Sequence, residues 1–160
     1  MMKDKRAVKI SILKERGDKV EKIKIYLSGA MGSLSFEEQS KWRKQIIDAI
    51  NYNYDCEKKP IFFNPVDYYN FQERQHKTER EIMEFDLYNL RNSDLVIVNF
   101  NDPKSIGTAM ELLLAKELHI PVIGFGVNSQ TIHPWLLECC TRVCDNIREV
   151  VEHTVDFYLN

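Results

Sequence analysis

The chain has 160 residues, with 22 basic and 24 acidic side chains and a formal net charge of −2. Of these residues 44% are hydrophobic and 29% are charged, which is typical of one folded domain with its own core and excludes a disordered segment. The near balance of charge gives no electrostatic basis for binding a nucleic-acid polymer. No apolar run has the length of a membrane span or of a signal-peptide core, so we expect a cytoplasmic protein with no membrane partner.

The first 27 residues alternate as a β-hairpin does. Apolar residues separated by polar ones flank a turn at 16–19, and they are Val8, Ile10, Ile12, Ile23, Ile25 and Leu27. We predict that residues 1–21 are an edge strand and turn added to a single domain that covers residues 1–160. Small residues follow the second strand, in the order Ser28, Gly29, Ala30, Met31, Gly32 and Ser33. Such a loop lets a ligand approach the backbone closely, and a flexible turn before a helix is an equal alternative.

A capping box at Ser35 predicts a helix that ends near residues 51–53, and a short strand follows at 61–63. The next segment, 66–77, is irregular and aromatic. Its rings Tyr68, Tyr69 and Phe71 can stack on a base, and they can equally cover the edge of the core or a subunit contact.

A second capping box, at Thr78, predicts a helix that runs to about residue 91. Its apolar stripe consists of Ile82, Met83, Leu87 and Leu90, and Asp86 lies on the same stripe. A buried carboxylate costs free energy unless it is paired or functional. Asp86 is therefore a candidate site residue, and an ion pair with Arg80 or Arg91 is the alternative.

Residues 94–115 combine a strand, a loop and a helix. Residues 95–98 form a β-branched run typical of a central parallel strand, and Pro103 ends it. Residues 109–115 are apolar nearly all the way round, which indicates a buried helix that carries Glu111. We expect Glu111 in the first turn, where the helix dipole favours its ionised form and makes it a plausible nucleophile. Alternatively, Thr108 and Glu111 form only a capping box.

Further strands at 121–126 and 141–145 and a closing helix at 147–159 complete the pattern. The repeated order of strand and helix predicts an α/β domain of three layers with a mainly parallel, five-stranded sheet. The four cysteines include a Cys140–Cys144 pair near His133 and His153, but their spacing fits none of the common zinc sites. We therefore predict thiols, no metal site and no cofactor.

Three segments resemble the nucleoside 2-deoxyribosyltransferase family, which includes the related nucleoside 5′-monophosphate N-glycosidases. They are 25–29 (IYLSG), Asp86-Leu87 and 105–112 (SIGTAMEL), in the family's order over roughly residues 22–126. The resemblance implies a flavodoxin-like or Rossmann-like fold and a glycosyl-accepting nucleophile at Glu111. It implies that Tyr26 holds Glu111 and that Asp86 contacts the leaving base and assists proton transfer. The substrate would contact Ser28, Gly29, Ala30, Met31, Ser105 and Gly107.

One position departs from the transferase pattern. Deoxyribosyltransferases carry an aspartate six residues before the glutamate, and Ser105 stands there in this chain. The monophosphate N-glycosidases have a phosphate-binding serine at this position, and Lys104 adds positive charge beside it. They also have a serine where this chain has Ala30. A Ser105 that only caps the turn is the plain alternative.

The resemblance predicts cleavage of an N-glycosidic bond through a glycosyl-Glu111 intermediate, with a nucleoside or nucleotide and a free acceptor base as partners. Hydrolysis of a nucleoside 5′-monophosphate and a non-catalytic nucleotide-binding module are the alternatives. The family also completes its sites with residues of a neighbouring subunit, so we expect a homodimer or larger homo-oligomer, with His133 and Trp135 as candidates for that contribution.

Overall fold

The computed structural model describes residues 19–69, 76–127 and 131–160. Five strands form one sheet in the order β2-β1-β3-β4-β5, and each neighbouring pair is parallel. They are β1 (Lys22–Gly29), β2 (Lys59–Phe63), β3 (Leu95–Asn99), β4 (Val122–Phe125) and β5 (Arg142–Val143). The predicted α/β fold is confirmed, and this order is that of flavodoxin-like proteins. The predicted edge strand at 8–12 lies outside the described residues, as does Phe71.

The helices are α1 (Phe36–Asn53), α2 (Glu79–Arg91), α3 (Ile106–Glu117), α4 (Pro134–Glu138) and α5 (Ile147–Thr154). A 3-10 turn, Pro65–Tyr68, follows β2, and a π-helical turn, Val155–Leu159, extends α5. The capping boxes at Ser35 and Thr78 are present, so α1 and α2 begin where the sequence predicted. The short helix α4 was not predicted.

Two apolar layers enclose the sheet because alternate strand residues face opposite sides. Ile25 and Leu27 of β1 pack in the layer that α1 and α5 cover. Tyr26, between them in sequence, packs in the layer that contains Leu90 of α2 and Leu112 of α3. Tyr26 and Ser28, two residues apart on β1, therefore face the side of the sheet that α2 and α3 cover.

The start of α3 corrects two expectations about Glu111. Ser105, not Thr108, is the N-cap, because its Oγ accepts a hydrogen bond from the Thr108 backbone N–H at 3.3 Å. The helix begins three residues earlier than expected, so Glu111 lies in the second turn. No acidic residue occupies the first turn, and the predicted Thr108–Glu111 capping box does not exist.

The expectation that α3 is buried all round is also wrong. Leu112 and Ala115 are buried against the sheet, but Ile106, Met110 and Leu113 are exposed on the outer face. These three positions follow the i, i+4, i+7 spacing of one helix face. A stripe of apolar side chains on α3 is therefore exposed in the part of the chain that the structure describes.

Candidate active site

Three side chains meet at the carboxyl end of β1. The Tyr26 hydroxyl donates a hydrogen bond to Glu111 Oε1 at 2.7 Å, and the Ser28 hydroxyl donates one to Glu111 Oε2 at 2.5 Å. Tyr26 and Ser28 are two residues apart on one strand, so both side chains point to the α3 side of the sheet. Each carboxylate oxygen of Glu111 thus has one buried donor, and the side chain is held in a single orientation.

The pKa of Glu111 is raised to about 7, mainly by burial and to a smaller extent by the negative charge of Asp86. The hydrogen bonds from Ser28 and Tyr26 and the charge of Arg43 oppose this effect. The expectation that the helix dipole keeps Glu111 ionised is therefore wrong, because the residue lies past the first turn and in a desolvated position. Burial also raises the pKa of Tyr26 well above its ordinary value, so Tyr26 remains a neutral donor.

Asp86 is 8% exposed, as its place on the apolar stripe of α2 predicted. Burial raises its pKa to about 6, an effect that Tyr69, His76 and Arg43 oppose. No ion pair joins Asp86 to Arg80 or Arg91 within the part of the chain that the structure describes. Instead Asp86 Oδ1 and the Tyr69 hydroxyl are both buried, and among the described residues neither atom makes a hydrogen bond of good geometry. The Tyr69 hydroxyl lies near enough to the Asp86 carboxyl group to lower its pKa, so a ligand would meet the two groups as a pair.

Aromatic rings from β2, from the turn after it and from α2 pack against Tyr26. Tyr68 stacks on Phe63 at 5.0 Å between ring centroids, and Phe63 stacks on Tyr26 at 5.2 Å. Phe85, the neighbour of Asp86, packs edge-on against Tyr68 at 5.2 Å. Of the three roles predicted for Tyr68, which are stacking on a base, cover of the core edge and a subunit contact, this packing favours cover of the core edge.

The loop from Gly29 to Met31 is tied to its surroundings. The Ala30 N–H donates to Asn101 Oδ1 at 3.2 Å, and the Met31 carbonyl accepts a hydrogen bond from Gln39 Nε2 at 2.7 Å. A Cβ atom on Gly29 would lie 3.0 Å from the Trp42 ring, so only glycine fits without movement there. The Ala30 backbone N–H therefore already has an acceptor within the protein. Asn101 lies beside the site, and the sequence analysis did not identify it.

Ser105 and Gly107 lie at the start of α3, at the same edge of the sheet. Ser105 Oγ accepts hydrogen bonds from the Thr108 N–H and, at 3.0 Å, from the Thr108 hydroxyl. Both bonds leave the Ser105 proton able to donate. Gly107 is exposed, and a Cβ built on it meets nothing within 4 Å. This helix start is open to a ligand.

His133 and Trp135 are not joined to this cluster. His133 Nδ1 accepts the Trp135 backbone N–H at 3.2 Å and so caps α4. Trp135 is 78% exposed, and within the described residues neither side chain contacts Glu111, Asp86 or Tyr26. A role in completing a neighbouring subunit's site stays a prediction.

Arg43 is the second residue that the sequence analysis missed. It lies on α1 with no exposed surface, and burial lowers its pKa to about 10. The sequence did contain an indication that Arg43 is buried. It lies three residues before Ile46 and seven before Ile50, and this spacing places all three on one face of α1. Among the described residues no group of three or more His, Cys, Asp or Glu side chains is placed to hold a metal ion, and no helix has the length and hydropathy to cross a membrane.

A doubly covered parallel sheet with paired carboxyl groups at its carboxyl edge defines a class of α/β proteins that bind small molecules there. The model of the nucleoside 2-deoxyribosyltransferase family matches residues 25–156, and the chain belongs to that family. The resemblance predicted from the three segments is confirmed. This family contains glycosyl transferases and N-glycosidases that act on nucleosides or nucleotides.

Solved structures show the same fold. The 2-deoxyribosyltransferase from Bacillus psychrosaccharolyticus is 18% identical with a TM-score of 0.62, over 80% of this chain and 90% of that one. The corresponding protein from Leishmania mexicana is 15% identical with a TM-score of 0.59, over 86% and 99%. The CMP N-glycosidase BcmB from Clostridium botulinum is 14% identical with a TM-score of 0.53, over 84% and 99%. No curated protein matches the chain significantly.

Proposed function

We propose that this protein cleaves the N-glycosidic bond of a (deoxy)ribonucleoside or nucleotide and transfers the sugar to another base. The observation that carries the proposal is the Glu111 carboxyl group, which two buried hydroxyls orient while Asp86 lies close enough to influence its titration. Two carboxyl groups at one site are what retaining cleavage of a glycosidic bond requires.

In the first step a carboxylate oxygen of Glu111 attacks the anomeric carbon. The bond from that carbon to the base nitrogen breaks, its electron pair goes to the base, and Asp86 supplies a proton to the leaving base. Because burial raises its pKa to about 6, Asp86 is protonated more often than an ordinary aspartate at mildly acidic pH and can supply this proton. In the second step an acceptor base attacks the same carbon, the ester bond breaks, and the electron pair returns to Glu111 while Asp86 takes up a proton.

Ser28, Gly29, Ala30 and Met31 line the sugar side in this proposal, and Ser105 and Gly107 lie where the far end of the sugar would reach. In the same proposal the buried Asp86 Oδ1 and the neighbouring Tyr69 hydroxyl contact the base. Donor and acceptor groups left unpaired in a buried site are costly, so a base edge that pairs with both would be favoured.

A second candidate is hydrolysis of a nucleoside 5′-monophosphate. The observation that favours it is Ser105, a hydroxyl at the N-terminus of α3 where the transferases carry an aspartate. Backbone N–H groups and a hydroxyl at such an end suit a phosphate, and Lys104 adds charge. In this reaction water replaces the acceptor base in the second step.

The test is chromatography of released base from a panel of nucleosides and 5′-monophosphates, each with and without a second free base. Formation of a new nucleoside that requires the acceptor supports the transferase, and release from monophosphates alone supports the hydrolase. Glu111→Gln should abolish both, because the amide cannot form the ester. The matched control Glu117→Gln, on the exposed end of the same helix, should keep full activity. Absence of release from every substrate would leave the binding module as the function.

The proposal includes a homo-oligomer. Ile106, Met110 and Leu113 form an exposed apolar stripe on α3, and Trp135 of α4 is exposed as well. A contiguous apolar patch of this kind is typical of a contact between proteins. Sedimentation equilibrium would check this, and a monomer at micromolar concentration would contradict it.

A further inference from the structure

Arg43 is a buried cation with an unusual set of partners. Its Nη1 donates to the Gln39 carbonyl at 2.5 Å, its Nη2 to the Gly29 carbonyl at 3.0 Å, and its Nε to the Leu27 carbonyl at 3.4 Å. All three acceptors are backbone oxygens. No carboxylate forms an ion pair with Arg43 in the described ranges 19–69, 76–127 and 131–160.

These contacts fix the strand end that carries Ser28. Leu27 and Gly29 are the residues on either side of Ser28, and Arg43 holds both carbonyls from the α1 side of the sheet. The Ser28 side chain leaves the strand on the opposite side, where it donates to Glu111 Oε2. Arg43 therefore binds the two residues that flank Ser28 on one face of β1, and Glu111 binds Ser28 itself on the opposite face.

The three hydrogen bonds to backbone carbonyls do not by themselves explain why a charged arginine, and not a neutral donor, is buried at position 43. Burying a charge that has no ion-pair partner costs free energy, and a neutral amide side chain satisfies carbonyls at lower cost. After burial itself, the charge of Glu111 has the largest influence on the titration of Arg43. The carboxylates of Asp67 and Asp86 act in the same direction. Apart from the Trp42 ring, whose centroid lies 4.4 Å from Arg43 Cζ, the positive charge is thus balanced by the carboxylates of the site.

The groups that act on Glu111 belong to three neighbouring elements. Tyr26 and Ser28 on β1 donate hydrogen bonds to it, Asp86 on α2 adds negative charge, and Arg43 on α1 adds positive charge from the opposite face of the sheet. Among these groups Arg43 is the only cation. Removal of its charge would leave Glu111 desolvated beside a second carboxyl group.

We propose that Arg43 is a positioning residue of the reaction, which clamps β1 around Ser28 and supplies the positive charge that keeps Glu111 available as a carboxylate. This inference rests on the proposed function for its catalytic meaning. Arg43 also favours the second step, because glycosylation removes the charge of Glu111 and leaves Arg43 unbalanced. Cleavage of the ester returns the electron pair to Glu111 and restores the balance.

The experiment compares Arg43→Gln and Arg43→Lys with the matched control Lys41→Gln, which removes a positive charge from the exposed face of the same helix. Infrared difference spectra across a pH series follow the carboxyl band that is lost in Glu111→Gln. This reads the ionisation of Glu111 whether or not the protein turns over a substrate. Thermal unfolding of each variant establishes that it is folded.

In Arg43→Gln the Glu111 titration should move to higher pH by about one unit or more, and kcat should fall roughly tenfold or more at pH 6, with KM changed less. Arg43→Lys keeps the charge and should keep the titration within about half a unit of the wild type, with part of kcat restored. Lys41→Gln should change neither. These shifts would not follow from a purely structural role.

A folded Arg43→Gln variant with an unchanged Glu111 titration would overturn the inference. If Arg43→Gln does not fold, Arg43→Lys decides the matter, and a rise of about one unit despite the retained charge would overturn it. Absence of base release from the wild type would instead contradict the proposed function. The spectroscopic titration would still report whether Arg43 controls the charge of Glu111, so the two failures are distinguishable.

Discussion

At the scale of single residues, the site depends on two hydroxyl groups that each donate a hydrogen bond to a different oxygen of the same carboxylate. Tyr26 takes Oε1 and Ser28 takes Oε2 of Glu111, so the side chain cannot rotate without losing a bond. Both hydroxyls are themselves buried and cannot be replaced by water without local opening. Glu111 is preoriented before a substrate arrives, which lowers the entropic cost of attack.

Ser28→Ala tests this arrangement. A hydrogen bond to a charged group is worth about 1.5–3 kcal/mol, so kcat/KM should fall on the order of ten- to a hundredfold. Because the Ser28 bond lowers the pKa of Glu111, its loss should also move the acid limb of the kcat/KM profile to higher pH. Steady-state kinetics between about pH 5 and 8 would measure both effects.

The matched control is Ser93→Ala. Ser93 is also buried, but its hydroxyl donates to the Asn89 carbonyl at the end of α2. This variant should lose some stability and keep the pH profile of the wild type. An unchanged acid limb in Ser28→Ala would show that the Ser28 contact does not hold the catalytic carboxylate.

At the scale of elements, the start of α3 serves the helix and is placed to serve a ligand. Ser105 accepts the Thr108 N–H, which satisfies one of the amide groups that every helix start leaves unpaired. The remaining N–H groups and the exposed Gly107 lie at the edge where ligands of parallel sheets bind. Capping and phosphate binding are therefore compatible uses of one side chain.

Two substitutions separate these uses. Ser105→Ala removes the cap and should cost about 1 kcal/mol of unfolding free energy, measured by urea denaturation. Ser105→Asp keeps the cap and adds charge that suits a helix start, so its stability should match the wild type. If Ser105 contacts a 5′-phosphate, Ser105→Asp should lose turnover of monophosphates by about tenfold or more while turnover of nucleosides persists. Equal losses on both substrates would assign Ser105 to capping alone.

At the scale of the whole molecule, the buried carboxyl groups make stability depend on pH. The pKa of Glu111 rises from an ordinary 4.5 to about 7 on folding, so the folded protein binds a proton that the unfolded chain has released between these values. The contribution of Glu111 is therefore most favourable below about pH 4.5 and is lost as the pH rises through about 7. Asp86, with a pKa raised from 3.8 to about 6, acts in the same direction.

Glu111→Gln should accordingly be more stable than the wild type at pH 8, because it removes the cost of a buried negative charge. The two pKa values for Glu111 correspond to on the order of 3 kcal/mol at 1.36 kcal/mol per pH unit. Unfolding free energies from urea denaturation at pH 5 and pH 8 would show a smaller difference in the variant. The exposed control Glu117→Gln should keep the difference of the wild type, and an equal difference in all three proteins would contradict this account.

Much of the site could be inferred without coordinates. The burial of Asp86 could be predicted because this carboxyl group lies on the apolar stripe of its helix, while its part in the reaction stays a prediction. Tyr26 and Ser28 are two residues apart on a predicted strand, so the sequence already indicates that their side chains point to the same face of the sheet. The position of Glu111 within α3 was predicted wrongly, because Ser105 and Thr108 are both good N-cap residues and the geometry of the preceding loop decides between them.

The sequence by itself determined the class of fold, the parallel sheet, the family and the carboxyl pair, because periodicity, caps and short motifs are local properties of the chain. Only the tertiary structure decided the protonation of Glu111 and the place of Arg43. Burial raises a pKa through atoms that are distant in sequence, and Arg43 finds carbonyls 14 and 16 residues before it only when α1 packs against β1. Desolvation and charge balance are properties of the packed site, so no segment of the chain contains them.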